Sequence, residues 1–252
     1  MDLLVIIIGL LVGSFLNVCI YRIPRKESIV WPGSRCTACN TRLTPLDLVP
    51  VLSFIFLKGR CRYCKQPIAW RYPAVELLTA LLFWLVYRRY GMEPVTAYYL
   101  ILTCILIVTS AIDMEHQIIP NGLVLTGITA GIVFNLAGVG ISFMDGLYGL
   151  ILGGGSLALV ALVSLFVFRR EGIGGGDIKL MAAIGLYLGW RLTALALLLS
   201  VYIGGMIGLL LLIMKIKKRG DYIAYGPFLA IASLIAILYG ESIIDWYLSS
   251  FW

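Results

Sequence analysis

Two aspartates beside long apolar runs are the residues of this sequence best suited to do chemistry. Asp113 ends the apolar run that begins near Val95, in SAIDMEHQIIPN, and Asp177 follows a glycine cluster, in GIGGGDIKL at 172–180. An ionised carboxylate at membrane depth is costly, so such acids usually line a cavity or pair with another group. Two neighbouring carboxylates that share one proton can act as base and acid on a water and a carbonyl. The pattern therefore predicts aspartic-protease chemistry.

The glycines before Asp177 predict a place where a substrate backbone could lie. Gly174, Gly175 and Gly176 have no Cβ, so another chain can approach closely and the backbone can adopt positive φ. An extended substrate could hydrogen-bond to the exposed amides, and the alternative is a helix start with no substrate. Lys179 could bias the charge of the aspartate pair, hold a substrate carbonyl or anchor its helix at the membrane surface.

Two C-x-x-C pairs, separated by 21 residues, form a second candidate site. They consist of Cys36, Cys39, Cys61 and Cys64. Each pair can place two thiolates on one tetrahedral metal ion, and all four ligands would then be sulfur. Because no coordination position stays open, we expect a structural zinc ion. The alternatives are free thiols in a packed turn and a redox-active dithiol.

Other protease chemistries fit the sequence poorly. The one histidine, His116, is not part of an H-E-x-x-H motif, which a zinc metalloprotease would carry. A serine triad would also need His116, and the sequence has no G-x-S-x-G motif to go with it.

The composition indicates how these residues are positioned. Of the 252 residues, 61% are hydrophobic and only 13% are charged, whereas soluble domains carry about 25% charged residues. So much apolar surface cannot be buried in a soluble chain of this length, which excludes an ordinary soluble fold and a disordered chain. We expect an all-α polytopic membrane bundle of about eight spans. The apolar runs cover roughly 3–21, 73–88, 95–112, 121–140, 145–168, 178–189, 192–214 and 228–248.

The distribution of charge predicts the orientation and the domains. With the N-terminus outside, 17 of the 20 Lys and Arg residues fall on cytoplasmic segments, as the positive-inside rule requires. The net charge of +7 is therefore attributed to topology and not to nucleic-acid binding. We predict a first transmembrane helix (1–21), a small cytoplasmic Cys-rich module (22–72) and a membrane bundle with the protease site (73–252). No internal repeat is evident, and the apolar stretch at 48–57 is too short to span the membrane.

Six segments together resemble a known family. They are GSFLNVCIYRIP at 13–24, PGSRCTACN at 32–40, CRYCKQPIAWRYPAVELLTA at 61–80, AIDMEHQIIPN at 111–121, GIGGGDIKL at 172–180 and YGPFLA at 225–230. In these segments and their order the chain resembles the bacterial type IV prepilin peptidases, or prepilin leader peptidase/N-methyltransferases. These belong with the membrane aspartic proteases of the GxGD type.

The resemblance implies a function and a set of partners. The family removes the basic leader from type IV prepilins and pseudopilins at the cytoplasmic face of the bacterial inner membrane. Many members then methylate the new N-terminal residue with S-adenosylmethionine. The catalytic aspartates correspond to Asp113 and Asp177, and the motif glycines and the lysine that follows correspond to Gly174, Gly176 and Lys179. The tetracysteine motif corresponds to the two C-x-x-C pairs, and their completeness favours the form with two activities.

The methyltransferase site carries no sequence motif, and three other functions fit parts of the sequence. No glycine-rich nucleotide motif marks the methyltransferase site, for which Glu76, just inside the second apolar run, is a possible polar contact. A peptidase without methyltransferase activity is one alternative. An ion-coupled transporter is a less favoured one, because both aspartates lie near one membrane face and not at its centre. A scaffold that docks partners through the Cys module would tolerate loss of both aspartates, whereas the enzyme would not.

Overall fold

The computed structural model describes residues 1–169, 172–218 and 223–251, and in these ranges the chain is helical without strands. Its α-helices are α1 (Asp2–Arg22), α2 (Leu52–Phe56), α3 (Arg71–Tyr90), α4 (Pro94–His116), α5 (Asn121–Leu136), α6 (Phe143–Phe168), α7 (Gly175–Ile213) and α8 (Gly226–Phe251). A 3-10 turn at Pro45–Leu48 precedes α2. The chain forms two compact units, Met1–Gly91 and Met92–Trp252.

The helices confirm a multi-pass membrane protein. Each of the eight predicted apolar runs overlaps a helix, although the run at 121–140 extends past the end of α5 at Leu136. Five helices, α1, α4, α6, α7 and α8, are long and apolar enough to cross a membrane. The 16-residue α5 is apolar but shorter. The division into a first helix (1–21), a module (22–72) and a bundle (73–252) stays a prediction.

Two predicted runs, 178–189 and 192–214, correspond to two helical halves of α7, which are separated by a kink at one residue. Gly189 has φ 70° and ψ 173°, a conformation that favours glycine. The carbonyl of Leu186, one turn earlier, accepts hydrogen bonds from the Tyr98 hydroxyl at 3.1 Å and the Asn135 amide at 3.0 Å. Buried side chains therefore satisfy the backbone where the regular helix is interrupted.

In the first unit, α1 and α3 pack closely through small residues. A Cβ added at Gly9 would lie 2.6 Å from the Ala80 Cα, and one at Gly13 would lie 2.7 Å from the Glu76 Cα. The buried Asn17 amide donates to the Tyr72 carbonyl at 3.0 Å. Such small-residue contacts and interhelical hydrogen bonds are typical of helices that associate in lipid.

Candidate active site

The structure brings the two predicted aspartates to one cavity. Asp113 lies in the last turn of α4 and is 2% exposed, and Asp177 lies in the first turn of α7 and is 3% exposed. Both line a cavity of about 270 Å³, and the two carboxylates interact electrostatically. Each acid is at a helix end, as the sequence predicts, and not in the middle of a long helix.

The two carboxylates differ in their partners. The Gly226 backbone N–H, at the start of α8, donates to Asp113 Oδ2 at 3.0 Å. A backbone donor stabilises the negative charge of a carboxylate. Asp177 Oδ1 is buried, and it has no hydrogen-bond partner within the described part of the chain. Asp113 is thus held through Oδ2 by a backbone donor from another helix, while Asp177 Oδ1 has no such donor among the described residues.

The predicted glycines line the same cavity, but one expectation about them is wrong. Gly174, Gly175 and Gly176 are on its wall, and a Cβ at Gly176 would lie 3.0 Å from the Ile119 Cβ. This neighbour belongs to the same chain, so the close approach of a substrate chain stays a prediction. The expectation of positive φ is wrong, because Gly174 has φ −70° and the next two glycines form the first helical residues of α7. These residues begin a helix, and a helical φ is negative.

Lys179 lies at the rim and does not contact either aspartate by hydrogen bond or ion pair within the described residues. Its Nζ donates to Asn121 Oδ1 at 3.2 Å, and Asn121 is a cavity residue. Asn121 and Gly226 were not among the predicted site residues, although each stands inside one of the quoted motifs. Their positions in the sequence do not predict a contact with the site, because only folding brings them close to the aspartates.

The four predicted cysteines come together in the first unit. Their Sγ atoms all lie within 4.8 Å of one another, and Cys36 Sγ and Cys64 Sγ are 3.8 Å apart. A tetrahedral zinc ion with Zn–S distances of about 2.3 Å requires S···S separations of about 3.8 Å. The four sulfurs therefore fit a zinc ion, which would be structural.

The two C-x-x-C turns are structural copies, a repeat that the sequence analysis missed. In the first turn the Cys36 N–H donates to the Thr41 carbonyl at 3.0 Å, and Asn40 has φ 56°. In the second turn Cys61 donates in the same way to Gln66 at 2.9 Å, and the equivalent Lys65 has φ 60°. Each turn is closed by an isolated antiparallel bridge, between Arg35 and Arg42 and between Arg60 and Pro67.

The pKa values of the thiols depend on their hydrogen bonds and on the neighbouring sulfurs. Hydrogen bonds with the side chain and backbone of Thr41 lower the pKa of Cys39 to about 6. A backbone hydrogen bond at Gln66 lowers the pKa of Cys64, but burial and the three neighbouring sulfurs outweigh it and raise that pKa to about 11. Four thiolates in this space repel one another, and a divalent cation would remove that repulsion.

Glu76 is buried but does not line the aspartate cavity. It lies on α3 with 8% exposure, and its Oε2 accepts a hydrogen bond from the Val51 N–H at 2.8 Å. The expectation that Glu76 serves the methyltransferase site stays a prediction.

Two family models cover most of the sequence. Residues 7–90 match the bacterial peptidase A24 N-terminal domain, and residues 100–209 match the type IV leader peptidase family. The chain is 38% identical over 259 residues to the prepilin leader peptidase/N-methyltransferase of Pseudomonas putida, covering 94% of this chain and 90% of the relative. The chain belongs to the type IV leader peptidase family. This is a family of aspartic proteases, so the resemblance stated from the motifs is confirmed.

Two further relatives with the same name are similar to this chain over most of its length. Prepilin leader peptidase/N-methyltransferases of Aeromonas hydrophila and Neisseria gonorrhoeae are 38% and 33% identical to this chain. The alignments cover 98% and 96% of the chain, and 94% and 93% of the relatives. No solved structure matches the chain. The first family model contains the four cysteines and Glu76, whereas the leader peptidase model contains Asp113 and Asp177.

Proposed function

We propose that this leader peptidase family member is an aspartic endopeptidase whose catalytic residues are Asp113 and Asp177. Its substrates are type IV prepilins and pseudopilins, from which it removes the basic leader at the cytoplasmic face of the inner membrane. The observation that carries this proposal is that both buried carboxylates line one cavity with the glycine turn. The names of the relatives support the choice of substrate.

The partners of the two carboxylates suggest their roles. Asp113, which accepts the Gly226 N–H, is the ionised base that takes a proton from the attacking water. Asp177, whose Oδ1 has no protein partner in the described ranges, carries the proton and donates a hydrogen bond to the scissile carbonyl. The tetrahedral intermediate then collapses, the C–N bond breaks, and the leaving amine receives a proton from the pair.

The residues around the pair would position the substrate. Gly174, Gly175 and Gly176 present backbone without side chains beside the aspartates, and the open space is at Gly175, where an added Cβ would meet nothing within 4 Å. Lys179, held by Asn121 at the rim, shapes the entrance to the cavity. The side of the membrane follows from the positive-inside rule, which places the N-terminus outside and both aspartates at the cytoplasmic ends of their helices.

The proposal includes a second activity and a metal. After cleavage, the new N-terminal amine of the pilin is methylated, with S-adenosylmethionine as the methyl donor, as the names of the relatives suggest. Cys36, Cys39, Cys61 and Cys64 would hold a zinc ion that keeps the Cys module folded. A fully thiolate-ligated zinc ion has no open position for chemistry, so its role is structural.

Mass spectrometry of reaction products tests the proposal. The purified chain in detergent is mixed with a prepilin and S-adenosylmethionine, beside the Asp113→Asn and Asp177→Asn variants. Asp245→Asn is the matched control, because Asp245 lies on α8 and does not line the cavity. We expect a truncated, methylated pilin from the wild type and the control only. Cleavage by either active-site variant would refute the aspartate pair, and truncation without methylation would remove the second activity.

A further inference from the structure

A cavity of about 670 Å³ opens in the first unit, next to the second C-x-x-C turn. Its volume is within the range of about 300–1,000 Å³ that small-molecule sites occupy. Apolar side chains form most of its wall, and its charged lining residues are Lys58 and Arg60. The cavity therefore suits an amphipathic ligand that carries an anionic group.

An aromatic pair stands on one side of this cavity. The rings of Phe54 and Trp70 have their centroids 4.9 Å apart at an interplanar angle of 58°. Gly59 backs the pair, since a Cβ there would lie 3.1 Å from the Phe54 ring. Trp70 is 77% exposed, so its indole face is available to a ligand. Exposed aromatic faces of this kind stack with nucleobases.

A strained turn forms another part of the wall. Val51 has φ 60° and ψ −49°, and the Leu52 N–H donates to the Pro50 carbonyl at 2.5 Å, which is a γ-turn. A β-branched residue with positive φ is costly, and such strain concentrates at functional sites. The buried Glu76 carboxylate holds this turn through the Val51 N–H.

We propose that this cavity is the binding site for S-adenosylmethionine, an assignment that rests on the N-methylation proposed above. The adenine ring stacks on Trp70, and the α-carboxylate of the methionyl group pairs with Arg60 and Lys58. The sulfonium cation is attracted to the aromatic faces. Glu76 lies behind the wall and acts as a positioning residue through Val51.

The transfer step balances with these components alone. The neutral α-amine of the cleaved pilin attacks the methyl carbon with its lone pair, forming the N–C bond. The C–S bond breaks, and its electron pair neutralises the sulfonium, which leaves S-adenosylhomocysteine. The methylated ammonium then releases a proton to water. An α-amino group has a pKa of about 7.7–8.0, so a usable neutral fraction exists near pH 7.

Equilibrium binding to the purified 252-residue chain in lipid-free detergent tests the site without any turnover. The probes are S-adenosylmethionine and decarboxylated S-adenosylmethionine, followed by tryptophan fluorescence and calorimetry. We expect Trp70→Ala to weaken S-adenosylmethionine binding at least ten-fold, and Trp70→Phe to restore part of it. Trp31→Ala is the matched control, because Trp31 is also exposed, at 72%, and does not line the cavity.

Decarboxylated S-adenosylmethionine tests whether the carboxylate is the group that Arg60 binds. Arg60→Gln should weaken S-adenosylmethionine binding about ten-fold but leave the binding of the decarboxylated ligand unchanged. Equal affinities in wild type, Trp70→Ala and Arg60→Gln would overturn the assignment, even if the chain methylates pilin. Competition by phosphatidylglycerol vesicles that abolishes binding would identify the cavity as a lipid site and would also overturn it.

The design separates failure of this site from failure of the proposed function. Leader cleavage is measured for every variant, and we expect it to stay within two-fold of wild type. If the wild type cleaves prepilin but neither binds S-adenosylmethionine nor methylates, then methylation and this site both fail and the protease remains. If methylation occurs with an unchanged KM for S-adenosylmethionine in Arg60→Gln and Trp70→Ala, only the site fails.

Discussion

The backbone N–H of Gly226 donates to Asp113 Oδ2 across 3.0 Å, although the two residues are 113 positions apart in the sequence. This hydrogen bond joins the start of α8 to the last turn of α4, which carries the proposed catalytic base. It fixes one carboxylate oxygen and supplies a donor that stabilises its charge. The base is therefore oriented by the first residue of a different helix.

Gly226→Ala should disable the proposed peptidase without removing either aspartate. A Cβ at this position would lie 2.8 Å from Asp113 Oδ2, so the carboxylate must move. A displacement of about 1 Å at a reacting group costs about a hundred-fold in rate, and we expect a fall of that size in kcat for leader cleavage. Gly205→Ala is the matched control, since an added Cβ there meets nothing within 4 Å. Wild-type kcat in Gly226→Ala would contradict the role given to this contact.

The two aspartates should behave as one catalytic unit. In the proposed mechanism Asp113 and Asp177 share one proton, so removal of either one should stop the reaction. We expect Asp113→Asn and Asp177→Asn each to reduce cleavage to background, and the double variant to be no slower than either single one. Single-turnover cleavage assays with excess enzyme measure this. If the two losses multiply, the residues act independently and the mechanism proposed here is wrong.

The four cysteines should bind one zinc ion per chain. Metal analysis of the purified protein should give a ratio near one, and Cys36→Ser or Cys64→Ser should lower it well below one. Cys104→Ser is the control, because Cys104 lies on α4 and is not one of the four clustered cysteines. A cysteine variant that retains a full equivalent of zinc would rule out the site.

Zinc removal should also weaken S-adenosylmethionine binding. The second C-x-x-C turn is closed by the bridge between Arg60 and Pro67, and the Ile68 N–H donates to the Gly59 carbonyl at 2.8 Å. All four of these residues line the 670 Å³ cavity. A chelator that strips the metal should therefore raise the Kd for S-adenosylmethionine, and readdition of zinc should restore it. An unchanged Kd in the stripped protein would show that cavity and metal are uncoupled.

Asp47 should stabilise the Cys module in a pH-dependent way. Burial raises its pKa, but hydrogen bonds from Thr44, from Arg62 at 2.6 Å and from Tyr63 outweigh burial and lower the pKa from 3.8 to about 2. A lowered folded-state pKa means that the stabilisation is fully present above pH 3.8 and is lost as the pH falls toward 2. The difference in thermal unfolding temperature between wild type and Asp47→Asn should thus be constant from about pH 8 to 5 and shrink below about pH 4. Thr126→Ala on α5 is a control for loss of one exposed polar group. If the difference in unfolding temperature between wild type and Asp47→Asn grows at low pH, the role given to Asp47 is wrong.

The chemistry of both sites could be predicted from local patterns in the sequence. Apolar runs of membrane-spanning length become helices because lipid offers no partner for backbone N–H and C=O groups. Asp113 and Asp177 at the ends of such runs, and the cysteines in two C-x-x-C pairs, stand out by residue type and local spacing alone. The residue types and their immediate neighbours were therefore sufficient to identify the candidate groups and the family.

Only the tertiary structure decided which distant groups complete these sites. Gly226 meets Asp113, and Glu76 holds the strained turn at Val51, across separations that no local pattern encodes. The break at Gly189 likewise depends on Tyr98 and Asn135, which approach from other helices. The apolar runs predict that helices form. Which helices become neighbours depends on how the shapes of their side chains fit together. Helix formation depends on local hydrogen bonds, whereas the cavities and their lining groups arise only when separate segments pack together.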